Sequence, residues 1–325
     1  MTIFRTKTLS LVALLLLSYL ISCNPTDGPS ATSSEAQLYV QEVINYMQTH
    51  SINRKNLNWT TFKQQVTTKA QGAQSIADTY PAIKMALTLL GDNQSAYTTS
   101  DGTIIRGITS LTCTDTPPTD VTTHPAIGYI KVTGFTGSGA EATTFAQSIQ
   151  SSIKQRDSDF IRGWIVDLRG NSGGNMWPML AGIGPILGEG TVGYFIDPEG
   201  ATSSWSYQKG VARLEQAELV KVDNPYTLLT ASPKVAVLTD RATASSGEAI
   251  AIAFKGRPAT RSFGVNTCGV ATANIDTVLS DGARLTLTQS TMADRSKRLY
   301  ITSVQPDEVL VGAAAVDKAM SWLLQ

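Results

Sequence analysis

Gly163–Leu168 (GWIVDL) and Lys234–Thr239 (KVAVLT) constrain this chain most: each is a short apolar run that empties into a loop of small residues, with a helical stretch beyond. Runs of this length between turn signals read as buried strands. Around them strand and helix alternate. Ile127–Val132 is a strand and Ala140–Gln155 an amphipathic helix; Met176–Leu187 is helical and Val192–Ile196 a strand. Ser246–Phe254 follows as a helix, with strands near Arg261–Gly264 and Leu285–Met292 and a closing helix at Ala313–Leu324. Such alternation implies a layered α/β core, here residues 127–325.

The residues before this core are patterned differently. Leu38, Val40, Val43, Ile44 and Met47 give one helical apolar face, Phe62, Val66 and Ala70 a second, and Ile76 to Leu90 a third that Gly91 stops. Residues 35–100 are therefore expected to form a helical subdomain, and 101–126, with Pro117-Pro118, a linker or loop.

The first residues are expected to leave the mature protein. Arg5 and Lys7 precede an apolar stretch, Leu11–Ile21, too short for a spanning helix of about 20 residues. Leu20-Ile21-Ser22-Cys23 resembles a bacterial lipobox, so 1–22 reads as a lipoprotein signal peptide and Cys23 as the lipidated residue. Residues 23–34 read as a tether. Asn24 follows Cys23 where many inner-membrane lipoproteins carry aspartate, which places the expected anchor in the outer membrane of a bacterial envelope. The lipid is the one membrane contact expected.

Lysine plus arginine equals aspartate plus glutamate, 26 each, and no basic stripe appears, which argues against nucleic acid as a partner. With two histidines (His50, His124) and three cysteines, a metal site built from these residues is not expected, nor is any cofactor. An oxidising compartment leaves Cys113 and Cys268 open to a disulfide or to two buried thiols.

The chemistry is expected at the two loops, since ligands of α/β sheets sit at strand ends. Asp167-Leu168-Arg169-Gly170-Asn171-Ser172-Gly173-Gly174-Asn175 has glycines that free the backbone to present N–H groups to an anion. Thr243-Ala244-Ser245-Ser246-Gly247-Glu248 admits two readings. Ser245 and Glu248 have the spacing of a helix-capping box. A serine at a helix N-terminus also stands where N–H groups and the helix dipole stabilise an oxyanion.

These segments resemble the tail-specific (carboxyl-terminal processing) serine peptidases. Asp167 to Gly174 matches their D-L-R-x-N-x-G-G segment, and Thr243 to Glu248 their S/T-A-S-x-x-E nucleophile segment. Ser262-Phe263-Gly264 with Thr267-Cys268-Gly269 resembles their G-x-x-T-x-G strand and turn, and Val304-Gln305-Pro306-Asp307 their closing P-D motif. The resemblance implies a crotonase-like β-spiral core with an N-terminal helical subdomain. It also implies a peptide or protein substrate, Ser245 as nucleophile, and an oxyanion hole of N–H groups at Gly173, Gly174 and Ser246.

The match breaks in three places. About 35 residues separate Asp92 from Ile127, too few for the PDZ domain of many members, so the chain resembles the PDZ-less branch related to the tricorn core and to interphotoreceptor retinoid-binding protein. Val270 stands where the serine–lysine dyad has its lysine, and Gly256 where a functional aspartate is found. Leu90-Gly91-Asp92-Asn93-Gln94-Ser95 has Gln94 where members lacking that lysine show histidine, and an amide cannot take a proton from a serine. His124 and Lys131 are the other candidates for a base. Two functions follow: a serine-type peptidase acting outside the cytoplasm, or a weakened or inactive relative that binds a peptide or an apolar ligand.

Overall fold

The computed structural model describes residues 31–108, 111–115 and 121–325. The signal peptide, the lipidation site Cys23 and most of the tether lie outside the described residues.

Among the described residues three α-helices come first: α1 (Ser34–His50), α2 (Trp59–Lys69) and α3 (Tyr80–Leu90). Ser33 caps α1 by accepting the N–H of Ala36, Asn58 caps α2 by accepting that of Thr61, and Gly91 ends α3 in the left-handed conformation at φ 73°. Two short strands depart from the sequence expectation: β1 (Ala96–Thr98) at the end of the stretch expected to be helical, and β2 (Ile104–Arg106) in the stretch expected to be a linker. Three residues each is too little for a period-2 pattern to stand out; β2 pairs with β1, and β1 depends on β12, far along the chain.

β3 (Ile127–Lys131), α4 (Gly139–Arg156), β4 (Gly163–Asp167) and α5 (Met176–Leu187) follow in alternation. Next comes an antiparallel run, β5 (Gly190–Ile196), β6 (Thr202–Gln208), β7 (Val211–Leu214) and β8 (Ala217–Lys221), of which the sequence reading caught only β5. β9 (Lys234–Thr239), α6 (Ser246–Phe254), β10 (Thr260–Gly264), β11 (Thr272–Val278), β12 (Arg284–Ala293), β13 (Glu308–Val309) and α7 (Ala313–Leu324) complete the chain.

The strands form two sheets. One is parallel throughout, in the order β13-β10-β9-β4-β3. Its central strands are buried on both faces, as a parallel sheet covered by helices requires. Trp164, Val166, Val235 and Val237 pack towards α4, α5 and α6, while Ile165, Ala236 and Leu238 pack towards α7. The other sheet runs β2-β1-β12-β5-β6-β7-β8, with β11 also paired to β12. It joins the core to the helices: Tyr97, Leu285 and Leu287 enter the cluster formed by Val43, Ile83 and Leu87. The α/β class expected from the sequence is the class observed.

Candidate active site

β4 and β9 are parallel neighbours, so the loops leaving their C-terminal ends emerge side by side. Hydrogen bonds stitch them together. The Ala244 N–H donates to Asn171 O at 2.9 Å, the Thr243 hydroxyl to Leu168 O at 2.9 Å, and the Gly170 N–H to the Asp240 carboxylate at 3.0 Å. The Ser246 hydroxyl donates to Gly174 O at 2.5 Å. Two glycines are required by this contact. A Cβ on Gly173 would lie 2.9 Å from both Ala244 O and Ser245 Cβ, and one on Gly174 would lie 2.1 Å from Phe135 O. Both also hold positive φ, 99° and 111°.

Ser245 is half-buried and opens α6 at φ 50°, ψ −113°, a backbone conformation that L-residues rarely hold and that costs about 1–3 kcal/mol. Glu248 holds it there. Its carboxylate is wholly buried and accepts the Ser245 N–H at 2.9 Å, the half of the capping box that fixes the backbone. It also accepts the Thr267 hydroxyl at 2.5 Å and the N–H groups of Gly269 and Val270 at 2.8 and 2.9 Å. Burial pushes this carboxyl above the usual range, and the four donors oppose that. Glu248 thus ties the turn Thr267–Val270 to the serine, a role hidden behind the ordinary capping spacing.

The glycine loop differs in one detail from the expected oxyanion site. The Gly173 N–H already donates to Asn171 Oδ1 at 3.0 Å, because the Asn171 amide is anchored to Val132 O at 3.0 Å and turns its oxygen back into the loop. Gly173 therefore serves as the close-approach position. The N–H groups of Gly174 and Ser246 have no hydrogen-bond acceptor among the described residues. Asp167 and Arg169 act lower down, in a buried ion pair at 2.7 Å that the Tyr129 hydroxyl joins at 2.9 Å.

Ser245 lies where two cavities meet. The first, about 450 Å³, also holds Gln94, Ser172, Val270 and the face of β1, β2 and β12. The second, about 440 Å³, is walled by Met176, Trp177, Phe195, Leu214 and Met292. Asn274 borders both. Trp177 thus lines this groove, whereas Trp205 and Tyr207 are buried in the core.

The structure brings Gln94 to the same cavity as Ser245 and occupies its side chain. Asp92 shapes the turn, accepting the N–H groups of Gln94 and Ser95 at 3.0 and 2.7 Å and the Thr288 hydroxyl at 3.0 Å. The Gln94 amide donates to Val270 O at 3.2 Å and to the Thr272 hydroxyl. The other base candidates are elsewhere. His124 precedes β3, at the end of the parallel sheet opposite Ser245, about 17 Å away along a five-residue strand. Lys131 is exposed on a separate cavity beside α4, His50 packs on Tyr46 at 4.4 Å, and Gly256 sits beyond the far end of α6, roughly 15 Å from Ser245. Among the described residues lining the two cavities there is no histidine, lysine, aspartate or glutamate.

Cys113 and Cys268 form a disulfide, with Cα atoms 5.2 Å apart. Cys268 follows Thr267 in the turn that Glu248 holds, and Cys113 lines the first cavity, so the bridge fastens the 111–115 segment beside Ser245. An Asp115 carboxylate oxygen accepts the Arg241 N–H at 3.0 Å and adds a second tie. The sequence left this pairing open because 155 positions separate the two cysteines.

The profile of peptidase family S41 matches residues 126–310. The nisin-resistance protein of Lactococcus lactis subsp. lactis is 27% identical over 288 residues, covering 88% of this chain and 86% of the relative. The carboxyl-terminal-processing peptidase 2, chloroplastic, of Arabidopsis thaliana is 27% identical over 164 residues, covering 50% of this chain and 28% of its own length. Among solved structures, a lipoprotein from Streptococcus agalactiae superposes with a TM-score of 0.69 at 23% identity, over 91% of this chain and 98% of that one. The photosystem II D1 C-terminal processing protease does so with a TM-score of 0.58 at 17% identity, over 86% and 94%. At these identities the structural likeness establishes the fold.

Proposed function

The chain belongs to peptidase family S41, and on that premise we propose that it is a serine-type peptidase acting on peptides or protein tails outside the cytoplasm, with Ser245 as nucleophile. The observation that carries this reading is the setting of Ser245: a strained residue at a helix N-terminus, at the junction of two cavities, beside two N–H groups without acceptors among the described residues. Its hydroxyl would attack the scissile carbonyl, whose oxygen would settle against the N–H groups of Gly174 and Ser246. The N-terminus of α6 favours the negative charge that develops there. Gln94 cannot accept the serine proton. General-base help is worth roughly 10²–10⁴ in rate, so turnover is slow and the proton leaves to water.

The same observation about Gln94 supports a second reading, a pseudo-peptidase that keeps the groove for a ligand. Amides and hydroxyls, not a basic nitrogen, come from Gln94, Thr272 and Asn274 around the serine. A fluorophosphonate probe separates the two: labelling of the wild-type chain that Ser245→Ala abolishes supports the peptidase. No labelling together with no cleavage across a peptide library leaves the binder.

We place the mature chain in the bacterial envelope, attached through lipid on Cys23. The likeness to a streptococcal lipoprotein and to a nisin-resistance protein supports an envelope location; the comparisons lend no support to the outer membrane in particular.

A further inference from the structure

The first cavity has a wall whose charge the peptidase reading leaves unexplained. Side chains alternate across a strand, so while Tyr97, Leu285 and Leu287 face the helices, residues 96, 98, 104, 106, 284 and 286 face the cavity. Register places Arg106 opposite Ala96 and Ala96 opposite Thr286, with Ile104, Thr98 and Arg284 in the next row. Arg106 and Arg284 thus stand two strands apart and two residues offset, about 12 Å between Cα atoms. Between them lie only Ala96, Thr98 and Thr286, a low floor under two long side chains. Both arginines are exposed, and neither makes an ion pair among the described residues. Asp276, opposite Thr286 on β11, accepts the Thr286 hydroxyl instead.

A chain with equal numbers of acidic and basic residues therefore concentrates two positive charges, unpaired among the described residues, in a cavity whose described lining has no carboxylate. Walls of low dielectric focus such a field, and the guanidinium fork matches a carboxylate. On the other side of Ser245 the second cavity carries no charged side chain among its described lining and has an apolar wall of Met176, Trp177, Phe195, Leu214 and Met292 facing polar Ser203, Thr272, Gln289 and Ser290. We propose that Arg106 and Arg284 form a subsite for a carboxylate of the bound peptide, from an acidic side chain or from the chain terminus. The peptide would lie with an apolar side chain in the second cavity and its anionic group in the first. The proposal rests on the groove being a peptide site, and does not need Ser245 to be reactive.

The test uses the full chain carrying Ser245→Ala, so that bound peptide persists. Fluorescent peptides with a central leucine carry glutamate or glutamine at successive positions on one side, each made as the free acid and as the amide. A glutamate peptide or a free acid should bind about tenfold tighter than its neutral counterpart, the effect of a charge-assisted hydrogen bond. Raising salt to about 0.5 M should shrink that advantage. The double substitution Arg106→Gln and Arg284→Gln should remove it while leaving neutral peptides unaffected, with an unchanged Tm showing that the variant folds. Glutamate in the amide series reports a side-chain source, and the glutamine acids a terminal one. Equal affinity for acidic and neutral peptides, a preference that survives the double substitution, or no binding by any peptide overturns the proposal. Failure of the nucleophile reading shows separately, as absence of fluorophosphonate labelling in the wild-type chain.

Discussion

Replacing Gly173 with alanine should disable Ser245 without unfolding the protein. Two costs add at this position. Alanine at φ 99° is strained by about 1–2 kcal/mol, since an L side chain crowds the backbone there. Its Cβ would also stand 2.9 Å from Ala244 O, 2.9 Å from Ser245 Cβ and 3.0 Å from Ser246 N. Ordinary contact begins near 3.4 Å, so the two loops must part by about 0.5 Å, the tolerance within which a reactive constellation works. A displacement of 1 Å costs about a hundredfold in rate, so half of that gives roughly tenfold or more. Gly256→Ala separates the two costs: its φ is 74°, but nothing lies within 4 Å of the added carbon. The assays are urea unfolding and the second-order rate of fluorophosphonate labelling. Gly256→Ala should lose about 1 kcal/mol and label at the wild-type rate, whereas Gly173→Ala should lose somewhat more and label at least tenfold more slowly. Wild-type labelling by Gly173→Ala would show that the loops do not need this close approach, and the reasoning would fail.

Other consequences can be checked with the same tools. Gln94→His puts an acceptor in the cavity that holds Ser245 and should raise the labelling rate by about 10²-fold or more; an unchanged rate in a folded variant would deny position 94 any share in the chemistry. Glu248→Gln sets an NH₂ group against N–H and hydroxyl donors that now share one carboxylate, so we expect a loss of about 2–4 kcal/mol with slowed labelling, and denaturation at wild-type urea would refute the tie. Reduction of Cys113–Cys268, which closes a loop of 155 positions, should lower stability by up to about 5 kcal/mol on the chain-entropy account, read as a shift of the urea midpoint in dithiothreitol. Asp294 is buried, which alone would raise its pKa, but bonds from Ser296, Tyr300 and Arg298 bring it below the usual value. The stability it confers is therefore complete above the unfolded pKa, about 4, and is lost as pH falls through the folded value; Asp294→Asn should flatten that decline in Tm.

Much of this architecture is written locally. GWIVDL and KVAVLT can be little else than buried strands, Ser246–Phe254 follows its serine as a helix with the limits expected, and Gly91 stops α3 where the sequence says it must. Because β4 and β9 are both followed by small-residue loops, the sequence already indicated which two segments to watch. What failed to show was whatever needs a distant partner. β1 and β2 are three residues long and exist by pairing towards β12, and β6 to β8 form a meander whose side chains are only partly buried.

By itself, the sequence determined the helices and the buried strands of the parallel sheet, because periodicity and capping act over a few neighbouring positions, and its motifs' resemblance to a family picked out the candidate nucleophile. The tertiary structure decided the rest: that Gly173 makes room while the N–H groups of Gly174 and Ser246 have no acceptor among the described residues, that Glu248 reaches across to the Thr267–Val270 turn, that Cys113 meets Cys268, and that Arg106 and Arg284 share one wall. Each of those is a contact between segments tens to more than a hundred residues apart. Chain spacing carries no information about such distances until the sheets set them.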